Sequence, residues 1–233
     1  IYTAEEVARV RGVTLDDVAR LTTVNARTLF GIGKMPEGDT FTYKIRDSLY
    51  LNITNRCTNK CGFCARYTSD FVKGHNMSLT REPDAEELIR AIGDPKSYEE
   101  IVFCGYGEPT LRLDLIKEVS RWIKDQGGKV RLNTNGHANL IYKRDVLPEL
   151  EGLVDVVSVS MNASDAETYE RICTPDFKGA YDAVVDFMYR AKNHIPDVQA
   201  TVVDAPEVDV DKCRRLCAEL GVLLRVRSYN VVG

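Results

Sequence analysis

The 233-residue chain carries a formal net charge of -4, with 44% hydrophobic and 28% charged residues, the balance of a globular protein that buries one core and at most a small appendage. No apolar run approaches the ~20 residues that cross a bilayer, and the acidic charge gives no general attraction to nucleic acid. Seven cysteines, an odd number with no secretory signal beside them, read as reduced thiols and metal ligands in a cytoplasm rather than as a disulfide framework.

The chain opens at Ile1, so further sequence upstream is expected. Thr3 with Glu6 reads as a capping box opening a short helix. Thr14 with Asp17 opens a second that runs through Val18, Leu21 and Leu29 at helical spacing. Gly31, Gly33 and Pro36 then break the pattern. Residues 1–36 are thus a helical segment set apart from a second unit at 42–233. From Thr42 onward strand and helix patterns alternate, which predicts parallel strands joined by helical crossovers. Strands are expected at 48–54, 100–105, 129–134, 155–161, 198–203 and 223–229, and helices at 84–92, 112–126, 143–150, 165–190 and 210–220. Six such units are too few to close an eight-stranded barrel of about 250 residues. The expected fold is α/β: a partial (βα)6 TIM-like barrel with a short N-terminal helical segment.

Parallel strands covered on both faces are normally continuous apolar runs, yet here polar residues occupy alternate positions. Tyr50, Asn52 and Thr54 alternate with Leu49, Leu51 and Ile53; Arg131, Asn133 and Asn135 with Val130 and Leu132. Ser158, Ser160 and Asn162 alternate with Val157, Val159 and Met161; Arg225, Arg227 and Tyr229 with Leu224 and Val226. The apolar set is expected to meet outer helices. The polar set is expected to line a lumen that admits a polar ligand, because burying unpaired polar groups costs several kcal/mol. An edge strand facing solvent is the alternative for the last of these.

The first barrel strand runs straight into Cys57, Cys61 and Cys64, with Phe63 before the last of them. Three thiolates are one fewer than a closed zinc site or a fully protein-ligated four-iron, four-sulfur cluster takes, so a coordination position is left for chemistry. A zinc loop completed by His75 or another cysteine is the bland alternative. The spacing resembles the signature of the radical S-adenosylmethionine (radical SAM) enzymes. That resemblance implies a 4Fe-4S cluster on Cys57, Cys61 and Cys64, with S-adenosylmethionine chelating the remaining iron and cleaved to a 5'-deoxyadenosyl radical. It also implies a one-electron reductant such as flavodoxin or ferredoxin.

Other segments fit the same resemblance. Gly105, Gly107 and Glu108 look like the family's Gly-Gly-Glu element, here interrupted by Tyr106. They are expected to bind the cofactor's methionine amino group, with the glycines allowing close backbone approach. Asn133 is the expected hydrogen-bond partner of the cofactor, with Asn135 shaping the turn. Ser158 and Ser160 stand where family members place polar groups, leaving the methionine carboxylate to Arg131 or another cation. Phe63 is expected beside the adenine. Residues 1 to about 34 resemble the C-terminal tail of TatD-type metal-dependent hydrolases, so the whole resembles a TatD-associated radical SAM protein, with functional association to such a hydrolase implied. Cys213 and Cys217, one helical turn apart, read as core residues. Cys104 and Cys173 read as isolated, and His75 and His137 as candidates for substrate contact near top loops. Three functions stay open: a radical enzyme on a small polar molecule, an anionic one if Arg225 and Arg227 face inward; an activating enzyme on a protein or nucleic acid; or a non-catalytic Fe-S or zinc-binding accessory module of a hydrolase.

Overall fold

A computed structural model describes residues 1–34, 38–67, 69–72 and 74–229. The helical pair α1 (Tyr2–Arg11) and α2 (Leu15–Phe30) leads to strands β1 (Thr42–Ile45) and β2 (Ser48–Leu51). A small hairpin, β3 (Phe71–Val72) and β4 (His75–Asn76), then precedes α3 (Ala85–Ile92) and β5 (Ile101–Phe103). After these come α4 (Leu113–Asp125), β6 (Val130–Thr134), α5 (Ala138–Tyr142), α6 (Leu147–Leu150) and β7 (Val156–Ser160). The chain continues through α7 (Ala166–Cys173), α8 (Ala180–Ala191), β8 (Asp197–Asp204), α9 (Val210–Leu220) and β9 (Leu223–Ser228). One sheet has the order β1-β2-β5-β6-β7-β8-β9. Its six strands from β2 onward are parallel, and β1 is antiparallel to β2. The fold is α/β, a partial TIM-like barrel, and β1 and β9 do not pair, so it stays open along one seam.

The alternating pattern sorts as expected inside the sheet, whereas β9 is an edge strand exposed along nearly its whole length, Val226 included, which is the alternative open for the last strand. Leu51, Ile101, Phe103, Leu132, Val157 and Val159 are buried on the outer face of the sheet against Leu88, Ile116, Val119, Val184 and Phe187 of the helices. Each such side chain contributes about 1.5–3 kcal/mol by leaving water. Cys213 and Cys217 are buried in this same core. Side-chain caps start the helices where the sequence offers them: Thr14 and Asp17 form a reciprocal box on α2, Asp84 and Glu87 another on α3, and Asp165 and Asp209 cap α7 and α9.

Several boundaries differ from the sequence expectation. α1 starts at Tyr2 with Ile1 at its N-cap and no side-chain cap, so Thr3 sits inside the first turn instead of capping it. The stretch 165–190 is two helices, because Thr174 takes a left-handed conformation (φ 43°) before Pro175, and α8 restarts after Gly179. Residues 143–150 hold only α6, since left-handed Lys143 terminates α5. β1 and the β3–β4 hairpin lie outside the expected strands, and the two-residue strands of the hairpin carry no periodicity to read. In α2 Val18 is buried, but Leu29 is 73% exposed, so the apolar stripe covers only the first half of the helix. That half rests on the hairpin, where a Cβ on Gly74 (φ 78°) would meet Arg20 Cβ at 2.7 Å. Pro36 lies outside the described residues, as does the end of the 42–233 unit beyond Tyr229.

Candidate active site

The first parallel strand delivers the cysteine loop, and its polar residues hold that loop's base. Asn52 donates from Nδ2 to Thr40 O (3.1 Å) and Met77 O (2.9 Å) and accepts from Tyr106 N (3.3 Å). Thr54 donates to Glu82 (2.6 Å), which also pairs with Arg56 (2.8 Å). Asn52 and Thr54 are therefore structural ties and not the free lumen groups that alternation suggested. The loop itself is strapped to the end of α7 and the segment after it. Lys60 N donates to Cys173 O (2.8 Å), Gly62 N to Ile172 O (3.0 Å) and Asp176 N to Thr58 O (2.9 Å), and Asn59 bridges to Pro175. From the other side the Arg66 guanidinium donates to Asn55 O (3.3 Å) and Asn59 O (2.9 Å).

Cys57, Cys61 and Cys64 are free and half-buried. Burial pushes the Cys57 thiol up to about 11 and raises that of Cys64. Cys61 is raised further, first by its contact with the Cys173 thiol and then by burial, so Cys173 is not isolated. The Arg66 charge opposes the rise at all three. A metal bound here must displace protons. Two donors already face the Cys57 sulfur, Asn59 N at 3.4 Å and Asn135 Nδ2 at 3.9 Å. With Cys61 turned toward Cys173, no group of three His, Cys, Asp or Glu side chains among the described residues stands assembled around a metal position. His75 instead stacks on Tyr43 (5.4 Å between ring centres) and faces Arg20 and Asp17 of α2, where burial holds it at about 4.

The Gly105–Glu108 element after β5 packs closely on the base of the cysteine loop. A Cβ on Gly105 would lie 2.9 Å from Asn52 Cα, with Asn52 Oδ1 closer still. One on Gly107 would lie 2.5 Å from Thr54 O and 2.9 Å from Arg56 N, with Arg56 O nearer. These glycines let the loop lie against the base of the cysteine loop, in close approach to its backbone. Glu108 is buried, and its carboxylate accepts from Thr110 N (3.0 Å), Thr110 Oγ1 (2.6 Å), Thr134 Oγ1 (2.6 Å) and Asn135 N (2.6 Å). Burial raises its pKa against the pull of those donors. The side chain ties the β5 loop to the end of β6 and leaves little acceptor capacity for an ammonium group.

The remaining strand ends face the lumen at two depths. Near the floor Arg131 pairs with Glu100 (2.8 Å) and donates to Gln199 Oε1 (3.2 Å), which Arg225 also reaches (3.4 Å). Arg131 is thereby committed to the floor and not available for a carboxylate above. Nearer the cysteine loop lie Asn133, Ser158 and Ser160, and Arg227 acts as a positive charge on both Cys64 and Cys104. Asn133 Oδ1 and Asn162 Oδ1 are buried with no hydrogen-bond partner, an arrangement costing about 1–3 kcal/mol per group unless a ligand donates to them. Phe63 packs half-buried against the core. Gln199 and Thr201 share this lumen face by register with Ser158 and Ser160, and the sequence reading passed over them although they alternate with Val198, Ala200 and Val202. His137, expected near substrate, is fully buried between Thr58 and Tyr169.

Three thiols on one loop, amide donors aimed at one sulfur, and unpaired buried amide oxygens beneath fit an iron–sulfur cluster with a polar ligand beside it, provided that Cys61 rotates off Cys173. Among the described residues no helix is long and apolar enough to cross a membrane. The family model described as Radical SAM superfamily matches residues 51–218. The chain is 26% identical over 192 residues to a "Probable GTP 3',8-cyclase" of Methanococcus maripaludis, covering 79% of this chain and 60% of the relative. It is 28% identical over 200 residues to the GTP 3',8-cyclase of Corynebacterium glutamicum, covering 82% and 51%. The chain spans about half the length of the curated relatives it matches. Among solved structures it resembles Streptococcus suis SuiB bound to precursor peptide SuiA (TM-score 0.58, 15% identity, 93% of this chain and 44% of that one). It also resembles TYW1 with a lysine-pyruvate adduct bound (TM-score 0.55, 15% identity, 89% and 72%). At these identities the likeness is one of fold.

Proposed function

The chain belongs to the radical SAM superfamily, and from that membership we propose that it is an enzyme that carries a 4Fe-4S cluster on Cys57, Cys61 and Cys64 and abstracts hydrogen from a polar, anionic substrate. The observation that carries the reading is the loop of three free thiols leaving the first parallel strand above a polar lumen. When bound, such a cluster supplies the electron that cleaves S-adenosylmethionine to methionine and a 5'-deoxyadenosyl radical. The protein's part is to place and shield. Asn59 N–H and Asn135 Nδ2 steady the Cys57 sulfur, and Arg66 and the α7 strap fix the loop. Asn133 Oδ1 accepts from the cofactor, and the Ser158 and Ser160 hydroxyls lie beside it. Phe63 borders the adenine, while Gly105, Gly107 and Glu108 serve by shaping the loop.

Arg227, exposed on β9 and close enough to act on Cys64, suits a carboxylate or phosphate on the substrate. GTP, named in the relatives, is the first small molecule to try. The unpaired seam between β1 and β9 keeps a macromolecular substrate as a second reading. Within this proposal residues 1–36 are a separate helical segment joined to a barrel unit at 42–233. The protein works in the cytoplasm with flavodoxin or ferredoxin as reductant and in functional association with a TatD-type hydrolase. Anaerobic reconstitution with iron and sulfide tests the core of it. Electron paramagnetic resonance should give a reduced cluster signal that shifts with S-adenosylmethionine, and 5'-deoxyadenosine should form. Zinc retention with neither cluster nor cleavage would make the loop a non-catalytic accessory module instead.

A further inference from the structure

His137 is fully buried, and both ring nitrogens are engaged. Nδ1 lies 2.9 Å from Thr58 Oγ1 and Nε2 3.0 Å from Tyr169 OH. Each of those hydroxyl oxygens already accepts an amide, Thr58 Oγ1 from Asn135 Nδ2 (2.8 Å) and Tyr169 OH from Asn59 Nδ2 (3.0 Å). A neutral imidazole donates to one hydroxyl and accepts from the other, so it joins the two. A protonated ring would take the acceptor from the hydroxyl that donates to it in a buried site, which agrees with a pKa held down to about 4 by burial. The backbone repeats the tie, because His137 N donates to Asn135 Oδ1 (3.0 Å).

The Asn135 donor to the Cys57 sulfur hangs on this imidazole, and so does the side chain of Asn59, whose backbone N–H is the other donor. The Asn135 amide is oriented by Thr58 and by the His137 backbone; the Asn59 donor is the backbone N–H, and Tyr169 anchors that residue by its side-chain Nδ2. We propose that His137 is a positioning residue of the cysteine loop: by bridging Thr58 and Tyr169 it aims the Asn135 amide at the Cys57 sulfur, anchors the side chain of Asn59, and so sets the reduction potential of the cluster that Cys57 ligates. This rests on the cluster assignment proposed above. Hydrogen bonds to cluster sulfurs favour the reduced, more negative state, because they stabilise added charge.

The test uses the full chain, reconstituted anaerobically, as wild type, His137→Leu, His137→Gln and Tyr169→Phe, with iron and sulfide counted before a mediated redox titration followed by electron paramagnetic resonance. His137→Leu should lower the midpoint by about 59 mV or more, a tenfold change in a one-electron equilibrium, at equal iron content. His137→Gln, whose amide can again accept from one hydroxyl and donate to the other, should recover most of the shift. Tyr169→Phe keeps the ring that meets His137 edge-on and removes only the hydroxyl; it should move the midpoint in the same direction, and it decides the matter if His137→Leu fails to fold. Unshifted midpoints in loaded variants overturn the role of His137 and leave the cluster assignment standing. A wild-type chain that takes up no cluster overturns both.

Discussion

Gly107 separates two explanations of the Gly-x-Gly-Glu element. A Cβ added there would lie 2.5 Å from Thr54 O and 2.9 Å from Arg56 N, with Arg56 O nearer still. Contacts under 3 Å to backbone atoms cannot be relieved by rotating a side chain, so the loop must move off the base of the cysteine loop. That movement also stretches the Glu108 N to Arg56 O hydrogen bond, now 2.7 Å. Overpacking of this kind costs about 1–3 kcal/mol, and the backbone character of the clash places Gly107→Ala near the upper end. At about 2–4 °C per kcal/mol for a chain of this size, the metal-free protein should melt roughly 6–12 °C lower. The assay is thermal unfolding of metal-free protein by circular dichroism, followed by iron counting after reconstitution at a temperature where both forms are folded. Iron loading should fall with stability, since the displaced atoms belong to Thr54 and Arg56, just ahead of Cys57. An unchanged melting temperature with weakened S-adenosylmethionine binding alone would refute the packing argument and return Gly107 to the ligand.

Other outcomes follow from the same geometry. Cys64→Ala should lose the cluster signal and most bound iron, because two thiolates hold a cubane poorly; full iron content in the variant would remove Cys64 from the ligand set. Glu108→Gln sets an amide N–H against one of four buried donors, an unsatisfied pair worth about 1–3 kcal/mol, so thermal melting should fall by roughly 3–10 °C, and an unchanged melt would mean that the carboxylate is not the tie described. His137 is held at about 4 against an ordinary 6.5, so the unfolded chain takes up its proton first. Stability of the metal-free protein is therefore full above pH 6.5 and falls as pH drops toward 4, by about 3 kcal/mol from this group. His75 titrates in the same window, which makes the flatter urea-denaturation profile of His137→Gln relative to wild type the readout. Arg227→Glu should weaken binding of an anionic probe such as GTP at least tenfold in isothermal titration, while unaltered affinity would take Arg227 out of substrate recognition.

The sequence carried the architecture because its signals were periodic. Strands such as β6 and β7 alternate between a buried face and a polar face, and the expected bounds of all six parallel strands lie within a few residues of the observed ones. Asp84 with Glu87 and Thr14 with Asp17 mark helix starts by a local reciprocal hydrogen bond that needs no tertiary partner. Thr3 with Glu6 has the same letters without the box, since Thr3 is already inside the helix. Short elements escaped notice: a two-residue strand such as His75–Asn76 exists only because its partner is there.

The cysteine spacing by itself determined the candidate chemistry, because three thiols within eight residues are close whatever the fold does. Which polar residues are free to meet a ligand was decided only by the tertiary structure. Asn52 and Arg131 point to the lumen by strand alternation and Glu108 stands in a loop beside it, yet their partners come from other segments: Met77 for Asn52, Asn135 for Glu108, Glu100 for Arg131. Asn133 and Asn162 keep an unpaired oxygen because no donor was brought to them. Cys173, 112 positions beyond Cys61 in the numbering, became its neighbour through the α7 strap. A hydrogen bond depends on where both partners finish, and periodicity along one strand reports only the direction in which one of them points.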